Sequence, residues 1–324
     1  MEWAVSQFQT STKLTVGTRG SELALVQATA TEAALAVAFP YLEIVRKVIV
    51  TTGDRRTDVS LADVAKAEGT FDKGVFIKEI EEALAAGEID IAVHSLKDLP
   101  TNLGSGFRLA ATLERAPVRD LLITLQPGGL DTLPTAARIG TSSVRRAKQI
   151  HWLRPDLQVA DLRGNVPTRL RKLAESGNYD GILLAEAGLV RLGFIPEFSH
   201  NEAPETVSGF PNLYVTRLAE DVFFPAAGQG AIGLEVRAGD AASHTFAQAI
   251  GHGETWLRIT AEREFLRLLD GGCHTPVGVF SSICDGELSL HARVFPDEGG
   301  TPKSGSASGT DPIALAHTLF NSLT

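Results

Sequence analysis

The stretch Ile89-Asp-Ile-Ala-Val-His-Ser-Leu-Lys-Asp98 sets polar and ionisable side chains directly behind a short apolar run. Residues 89–93 have the length and the branched side chains of a buried strand, and Gly87 can end a helix before it. In open α/β sheets, ligands bind beyond the carboxyl ends of the strands, so we expect a functional site at 94–98. The alternative is that Lys97 and Asp98 form only an exposed turn pair, which contributes little energy.

Outward from this stretch, strand patterns alternate with helix patterns. The expected strands are 13–17, 43–51, 89–93, 121–125, 138–139, 157–162, 182–185 and 231–236. The expected helices include one capped by Ser21, one at 143–153 and one at 166–175. Such alternation indicates α/β structure with mainly parallel sheets. Because the pattern restarts after Arg119, we expect two α/β domains.

The chain after Glu254 follows a different pattern. A helix with one apolar face leads to Gly271-Gly-Cys273, and short strands at 277–282 and 288–294 precede a helix at 312–323. This order predicts a third, small α+β domain. Cys284 falls in an apolar strand-like run and is predicted to lie in its core. Residues 196–211, rich in Pro, Glu, Asn and Gly, are predicted to form an exposed loop.

The composition excludes several classes of protein. The chain has 324 residues and two cysteines, so it is not a disulfide scaffold. A net charge of −9 argues against a nucleic-acid or membrane-surface binder. Residues 1–11 lack a secretory signal and no apolar run can span a bilayer, so we expect a cytoplasmic protein. The eight histidines show no ligand spacing, so no metal site is expected.

Arginine outnumbers lysine by 21 to 9, and its planar fork matches a carboxylate. In Gly140-Thr-Ser-Ser-Val-Arg-Arg146, a glycine and three hydroxyls pass from a strand into a helix. The free N–H groups of that helix make an anion site, and a bound anion would offset two arginines in its first turn. The alternative is ordinary serine capping beside solvated arginines.

Two further patterns point to chemistry. Arg19, Arg163, Arg169 and Arg191 each lie near a strand exit or a helix start, so we expect them to bind several carboxylates on one rim. The bare backbone of Gly271-Gly-Cys273 allows a bulky group to approach a thiolate nucleophile. A cysteine without any chemical role is the alternative.

Six stretches, in this order, resemble the porphobilinogen deaminase family of tetrapyrrole biosynthesis. They are Gly17-Thr-Arg-Gly-Ser-Glu-Leu-Ala-Leu25, Asp90 to Asp98, Gly140 to Arg146, Leu162-Arg-Gly-Asn165, Pro225-Ala-Ala-Gly-Gln-Gly230 and Gly271-Gly-Cys-His-Thr-Pro-Val-Gly278. The resemblance implies two periplasmic-binding-protein-like α/β domains with a hinged cleft, and a small C-terminal α+β domain that carries the cysteine. We expect these domains at 1–114 with 226–248, at 115–225 and at 249–324.

The resemblance also implies an activity. Enzymes of this family condense four porphobilinogen molecules head to tail with release of ammonia, and water then frees linear hydroxymethylbilane. The chain grows on a dipyrromethane cofactor whose thioether falls, by similarity, on Cys273. Asp98 matches the catalytic carboxylate that contacts pyrrole N–H groups, stabilises an azafulvenium-like cation and assists proton transfer. The family is usually monomeric, and the implied partner is porphobilinogen, with neither nucleic acid nor membrane.

Further residues match the family's site. By similarity, the residues that bind the cofactor are Ser95, Lys97, Asp98, Thr141, Ser143, Arg145, Arg146 and Gly272, with Ser142 a further cleft position. Those that bind substrate are Arg19, Ser21, Phe76, Arg163, Arg169, Arg191 and Gln229. The segment 66–74 is longer and less glycine-rich than the family's usual flap, which leaves the roles of Lys66 and Lys73 open.

Two alternatives come from other classes of protein. An anion-binding protein with two hinged lobes and no reaction explains the arginines equally well, but it does not explain Gly271-Gly-Cys273 or a third domain. A ligand-sensing regulatory module is the second alternative, although no DNA-binding segment is apparent in the sequence. Replacing Asp98 by Ala tests the enzyme against these alternatives, and turnover that survives with the cofactor intact would make the catalytic assignment of Asp98 wrong.

Overall fold

The computed structural model describes residues 13–55, 77–197, 204–269 and 276–323. The chain forms two compact units, and each is assembled from two separate parts of the sequence. The first comprises Met1–Glu114 with Ala231–Trp256, and the second comprises Arg115–Gly230 with Leu257–Thr324. Within the described ranges, every helix is too short or too polar to cross a membrane.

The described strands are numbered here in chain order. They are β1 (Lys13–Arg19), β2 (Glu43–Ile49), β3 (Ile91–Ser95), β4 (Phe107–Thr112), β5 (Asp120–Thr124), β6 (Arg138–Gly140), β7 (Gln158–Ala160), β8 (Gly181–Ala185), β9 (Thr206–Val207), β10 (Phe210–Arg217), β11 (Ile232–Arg237), β12 (Val277–Cys284), β13 (Glu287–Val294) and β14 (Lys303–Gly309).

The described helices follow the same convention. They are α1 (Glu22–Ala38), α2 (Thr52–Arg55), α3 (Lys78–Ala85), α4 (Val144–Leu153), α5 (Val166–Glu175), α6 (Glu186–Arg191), α7 (Ala241–Ala249), α8 (Gly253–Leu268) and α9 (Pro312–Leu323). A 3₁₀ turn, Leu96–Asp98, follows β3 directly.

The first unit is built on a five-stranded sheet with the order β2-β1-β3-β11-β4. β1 is parallel to β2 and β3, whereas β11 is antiparallel to both of its neighbours. One face packs Val93 with Leu35 of α1 and Phe246 of α7, and the other packs Ala92 with Ile80 of α3. The sheet is mixed rather than mainly parallel, because the chain reaches β11 through the second unit and not through a local helical crossover.

The second unit contains a six-stranded sheet with the order β7-β6-β8-β5-β10-β9. β7, β6 and β8 are parallel, whereas β5 is antiparallel to both β8 and β10, so this sheet is also mixed. Leu170 of α5 packs with Leu184 on one face, and Ile150 of α4 packs with Ile139 on the other. Helices therefore cover both faces, as expected of an α/β layer.

The C-terminal part of the second unit has its own small sheet and core. β12, β13 and β14 form an antiparallel three-stranded sheet. Phe265 of α8 and Leu319 of α9 pack against Val279 and Leu290 of this sheet. Two mixed α/β sheets followed by a small sheet-and-helix layer confirm the expected fold class.

Two local predictions are wrong. Cys284 is exposed rather than buried, because it ends β12 on the face opposite the buried Val279 and Ser281. The predicted loop 196–211 contains β9 and the start of β10 in its described part. Val207 is buried there, so backbone pairing and one apolar anchor outweigh a polar composition.

Candidate active site

In the first unit, predicted site residues meet at one edge of the sheet. β1 and β3 are parallel neighbours, so their carboxyl ends lie side by side. Arg19 ends β1 and Ser21 caps α1 by accepting the Ala24 N–H at 3.3 Å. Ser95 ends β3, and the 3₁₀ turn behind it carries Lys97 and Asp98, which are both partly exposed.

Ser95 is held by a buried side chain that the sequence did not indicate. Gln27 Nε2 of α1 lies 2.8 Å from Ser95 Oγ, and Gln27 is almost fully buried. The signal that could have revealed it is a glutamine on the same face of α1 as Ala24, Ala28 and Leu35. A buried amide needs polar partners, so Gln27 fixes the start of the turn.

In the second unit, the segment predicted to bind an anion has the strand exit and the capped helix start that the sequence predicts. Thr141 follows β6, and Ser143 caps α4 by accepting the Arg146 N–H at 3.4 Å. Ser142 Oγ donates to the carbonyl of Leu162 at 2.7 Å, which ties this turn to the loop after β7. The hydroxyls are therefore used to shape two adjacent strand exits.

Arg145 and Arg146 are buried beside a carboxylate of the protein. Asp120 Oδ2 accepts from Arg145 Nη1 at 2.7 Å, and Asp120 Oδ1 accepts from Arg146 Nη2 at 2.6 Å. Arg145 Nη1 also donates to the carbonyl of Phe224, and Arg146 Nη1 to that of Leu183. The carboxylate of Asp120 therefore balances the charges of Arg145 and Arg146. The two guanidinium groups are buried rather than solvated.

Arg145 keeps part of its guanidinium available. No hydrogen bond within the described residues uses its Nε or Nη2. Burial lowers its pKa; Asp120 opposes that effect and neighbouring Arg146 adds to it. A desolvated cation with unused donors favours a further anionic partner.

The side chain of Gln229 is fully buried next to the carboxylate of Asp120. Its Nε2 donates to the carbonyl of Val118 at 2.7 Å and lies 3.2 Å from Asp120 Oδ1. Its Oε1 is buried without a hydrogen-bond partner among the described residues. The next residue, Gly230, has a φ of +83°, and a Cβ there would lie 2.4 Å from the carbonyl oxygen of Ala116. Only glycine fits that approach.

Arg163 and Arg169 shape the loop between β7 and α5. Arg163 Nε donates to Asp161 at 3.0 Å, and Arg169 Nε donates to the carbonyl of Gly164 at 2.7 Å. Asn165 caps α5 by accepting the Thr168 N–H at 2.9 Å. Both guanidinium groups therefore lie at the carboxyl edge of the second sheet, near the start of a helix.

Arg191 receives little electrostatic compensation from the described residues. It ends α6, and its Nη2 donates to the carbonyl of Gly230 at 2.8 Å. Within the ranges that the structure describes, no carboxylate forms an ion pair with it. Burial lowers the pKa of Arg191 to about 10. A partly buried cation whose described partner is a carbonyl can accept an anion.

The remaining predicted residues lie outside the described residues. They are Phe76, Gly272 and Cys273, together with Lys66 and Lys73 of the divergent segment. In the described ranges, no group of His, Cys, Asp and Glu side chains is arranged to hold a metal ion. Unused donors on Arg145 and the uncompensated charge of Arg191 fit a cofactor that carries carboxylates.

Comparisons with known proteins agree over the length of the chain. Residues 14–245 match the sequence model described as porphobilinogen deaminase, dipyromethane cofactor binding domain, and residues 256–323 match porphobilinogen deaminase, C-terminal domain. The porphobilinogen deaminase of Roseiflexus castenholzii is 45% identical over 96% of this chain and 95% of its own. That of Syntrophobacter fumaroxidans is 42% identical over 88% and 84%.

A more distant likeness is found among solved structures. The periplasmic VFT2 domain of Bordetella pertussis BvgS has a TM-score of 0.40 and 12% identity, over 77% of this chain and 89% of that chain. That likeness is too weak to carry an argument, whereas the family models and the relatives agree. This chain belongs to the porphobilinogen deaminase family of transferases and contains that family's dipyrromethane-cofactor-binding domain.

Proposed function

We propose that this chain is a hydroxymethylbilane synthase that uses Asp98 as its catalytic carboxylate and its arginines to bind the substrate's carboxylates. The observation that carries the proposal is Arg191, a partly buried cation whose described protein partner is a carbonyl. Porphobilinogen bears two carboxylates, so a chain of pyrrole units requires many such cations. The family membership supplies the substrate class.

Asp98 stands on the turn at the carboxyl end of β3. A carboxylate there accepts pyrrole N–H groups and stabilises positive charge that develops as the amine leaves. It also moves a proton between the reacting pyrrole and the departing ammonia. Ser95 precedes this turn and Lys97 lies on it, and both add to its polar surface.

The second sheet supplies the anion-binding side chains. Arg145 offers its unused donors to a carboxylate, with Arg146 and Asp120 holding it in place. Thr141 and Ser143 add hydroxyls beside them at the start of α4. Further carboxylates are bound along the edge of this sheet by Arg163, Arg169 and Arg191. In the first unit, Arg19 with Ser21 binds another carboxylate. The buried side chain of Gln229 supports the edge of the second sheet.

We propose that Cys273, which follows Gly272 in the sequence, holds the dipyrromethane by a thioether. When bound, this group supplies the free pyrrole position to which the first substrate is joined. Arg145, Arg146 and Lys97 would hold its carboxylates. Phe76 is proposed to border the substrate. Gly272 allows the group to approach the sulfur without steric conflict.

The working arrangement is also a proposal. We propose three domains, at 1–114 with 226–248, at 115–225 and at 249–324, the last of which carries the cofactor cysteine. A monomer in the cytoplasm is proposed, without nucleic acid or membrane as a partner. Its support is the family membership and a net charge of −9, which disfavours binding to polyanions.

The test is the intact mass of the denatured protein and of a Cys273→Ser variant. We expect a wild-type excess of two linked pyrrole units that the variant lacks. An unmodified wild-type mass after incubation with porphobilinogen would contradict the attachment to Cys273. In parallel, Asp98→Ala should keep the cofactor and lose turnover. Turnover at the wild-type rate would favour another catalytic group, and binding of porphobilinogen by wild type without any turnover would favour the anion-binding alternative.

A further inference from the structure

A buried pair of polar side chains, to which no role has been given above, lies in the first unit. His94 Nε2 and Glu235 Oε2 are 2.9 Å apart, and the two side chains are 5% and 0% exposed. Glu235 lies opposite Ala92 in the β3–β11 ladder, so the His94 and Glu235 side chains share the sheet face that α3 covers. A buried histidine–carboxylate pair contributes little net stability over apolar side chains of equal volume, so another role is indicated.

Glu235 is only half satisfied by this pair. Its Oε1 is buried and has no hydrogen-bond partner among the described residues. The neighbouring acid on α3 is Glu81, whose pKa is raised to about 7 by burial and by the charge of Glu235, against the effect of His94. Among these three titratable groups, the described hydrogen bond is the one between His94 and Glu235. That bond therefore fixes the geometry of the cluster.

The same two strands hold the turn that carries Asp98. Leu96 N donates to the carbonyl of Ala231 at 3.0 Å, at the start of β11. Gly233 lies directly opposite His94, and a Cβ on Gly233 would be 2.9 Å from Leu96 Cδ1. Leu96 thus packs onto β11 at Gly233, next to the point where the His94–Glu235 hydrogen bond joins β11 to β3. A rotation of His94 would be transmitted to the turn two residues later.

Resting on the function proposed above, we propose that His94, held by Glu235, is a positioning residue that aims the Asp98 carboxylate. A charge-assisted hydrogen bond is directional, so it fixes the rotation of the end of β3 in a way that an apolar contact does not. Residues that support a reacting group must hold it within a fraction of an ångström. Because other side chains bind the substrate's carboxylates, the pair should affect kcat far more than KM.

The test compares His94→Leu with His94→Gln and with wild type. Intact mass gives the fraction of each protein that carries dipyrromethane, so rates are expressed per loaded enzyme. We expect His94→Leu to lower kcat about ten- to hundredfold with KM within about twofold of wild type. His94→Gln should recover most of kcat, because the glutamine amide can still donate to Glu235. Equal losses in the two variants would overturn the proposal.

A double variant separates positioning from stability. In His94→Leu with Glu235→Leu, no buried charge is left uncompensated, so the unfolding midpoint should return towards wild type while kcat stays low. If kcat recovers together with the midpoint, the pair is structural only. If His94→Leu fails to fold, Glu235→Gln takes its place in the comparison of kcat and KM with wild type. That substitution keeps the shape of the Glu235 side chain and removes its charge. Wild-type protein without turnover would instead contradict the proposed function, and this role with it.

Discussion

Replacing Arg115 by methionine should destabilise the second unit by several kcal/mol. The guanidinium of Arg115 lies against Glu262 of α8, and Glu262 is 0% exposed. Arg115 Nη1 and Nη2 donate to the two carboxylate oxygens at 2.7 and 2.9 Å. Ser281 Oγ donates to the same carboxylate at 2.6 Å and Gly228 N donates at 2.8 Å. A single buried charge therefore joins the C-terminal sheet to the segments around 115 and 228.

The magnitude follows from what remains after the substitution. Methionine keeps much of the stem of Arg115 but leaves Glu262 charged, buried and held by two neutral donors. Removing one member of a buried ion pair costs about 3–5 kcal/mol. The hydrogen bond from Arg115 Nε to the carbonyl of Gln229 at 2.9 Å is lost as well. Because Ser281 and Gly228 still stabilise the carboxylate, we expect about 3 kcal/mol, near the lower end.

Urea unfolding followed by tryptophan fluorescence measures this loss as a shift of the midpoint at constant slope. The control is Arg115→Met combined with Glu262→Leu, which removes the carboxylate that the single variant leaves without its arginine. The double variant should be more stable than the single variant. A loss below about 1 kcal/mol in Arg115→Met would refute the reasoning, because it would mean that water reaches and solvates Glu262.

Three further perturbations test the charges of the site and its surroundings. Asp120→Asn should lower the free energy of unfolding by about 3 kcal/mol in a urea titration, because Arg145 and Arg146 lose their carboxylate. Arg191→Met should raise the KM for porphobilinogen about tenfold in steady-state kinetics, since a charge-assisted hydrogen bond is lost. The pKa of Glu81 is raised from 4.5 to about 7, so the folded state keeps that proton and wild-type stability should fall as pH rises across this window. Glu81→Gln should remove this dependence, which is at most about 3 kcal/mol and, after solvent screening of a partly exposed group, about 1 kcal/mol.

Exposed neighbours provide matched controls for these measurements. Arg171→Met on α5 and Glu82→Gln on α3 remove the same charges from exposed positions. They should leave KM and the pH dependence unchanged. An unaltered KM in Arg191→Met would remove that residue from the carboxylate-binding set. Parallel pH profiles of wild type and Glu81→Gln would place the Glu81 pKa at its ordinary value, and an unchanged midpoint in Asp120→Asn would mean that other groups compensate the arginines.

Local signals in the sequence were sufficient for the helices with clear ends. Expected helices at 143–153 and 166–175 agree with α4 and α5 to within a residue, because Ser143 and Asn165 cap them. β14 could not be predicted in the same way. It consists of Lys, Ser, Gly and Ala, and its strand conformation comes from backbone pairing with β13, a tertiary effect without an apolar signature.

The same limit applies to the site. The strand exits were predictable, since an apolar run followed by polar residues marks the edge of a sheet. The partner of Arg145 and Arg146 was not, because Asp120 lies 25 residues before Arg145 and on a strand that is not adjacent to β6. A retrospective signal exists: Asp120 begins a strand that is buried throughout, and a carboxylate in that position needs a cation.

The place of β11 between β3 and β4 has a consequence for synthesis on the ribosome. When Thr112 emerges, β3 and β4 have no partner between them until residues 232–237 have been made. At typical rates of about 5–20 residues per second, that delay is roughly 6–25 s. During this time both strands present unpaired edges, which favour association with other nascent chains. A fragment that stops near residue 114 should therefore aggregate, whereas the complete chain closes its own gap.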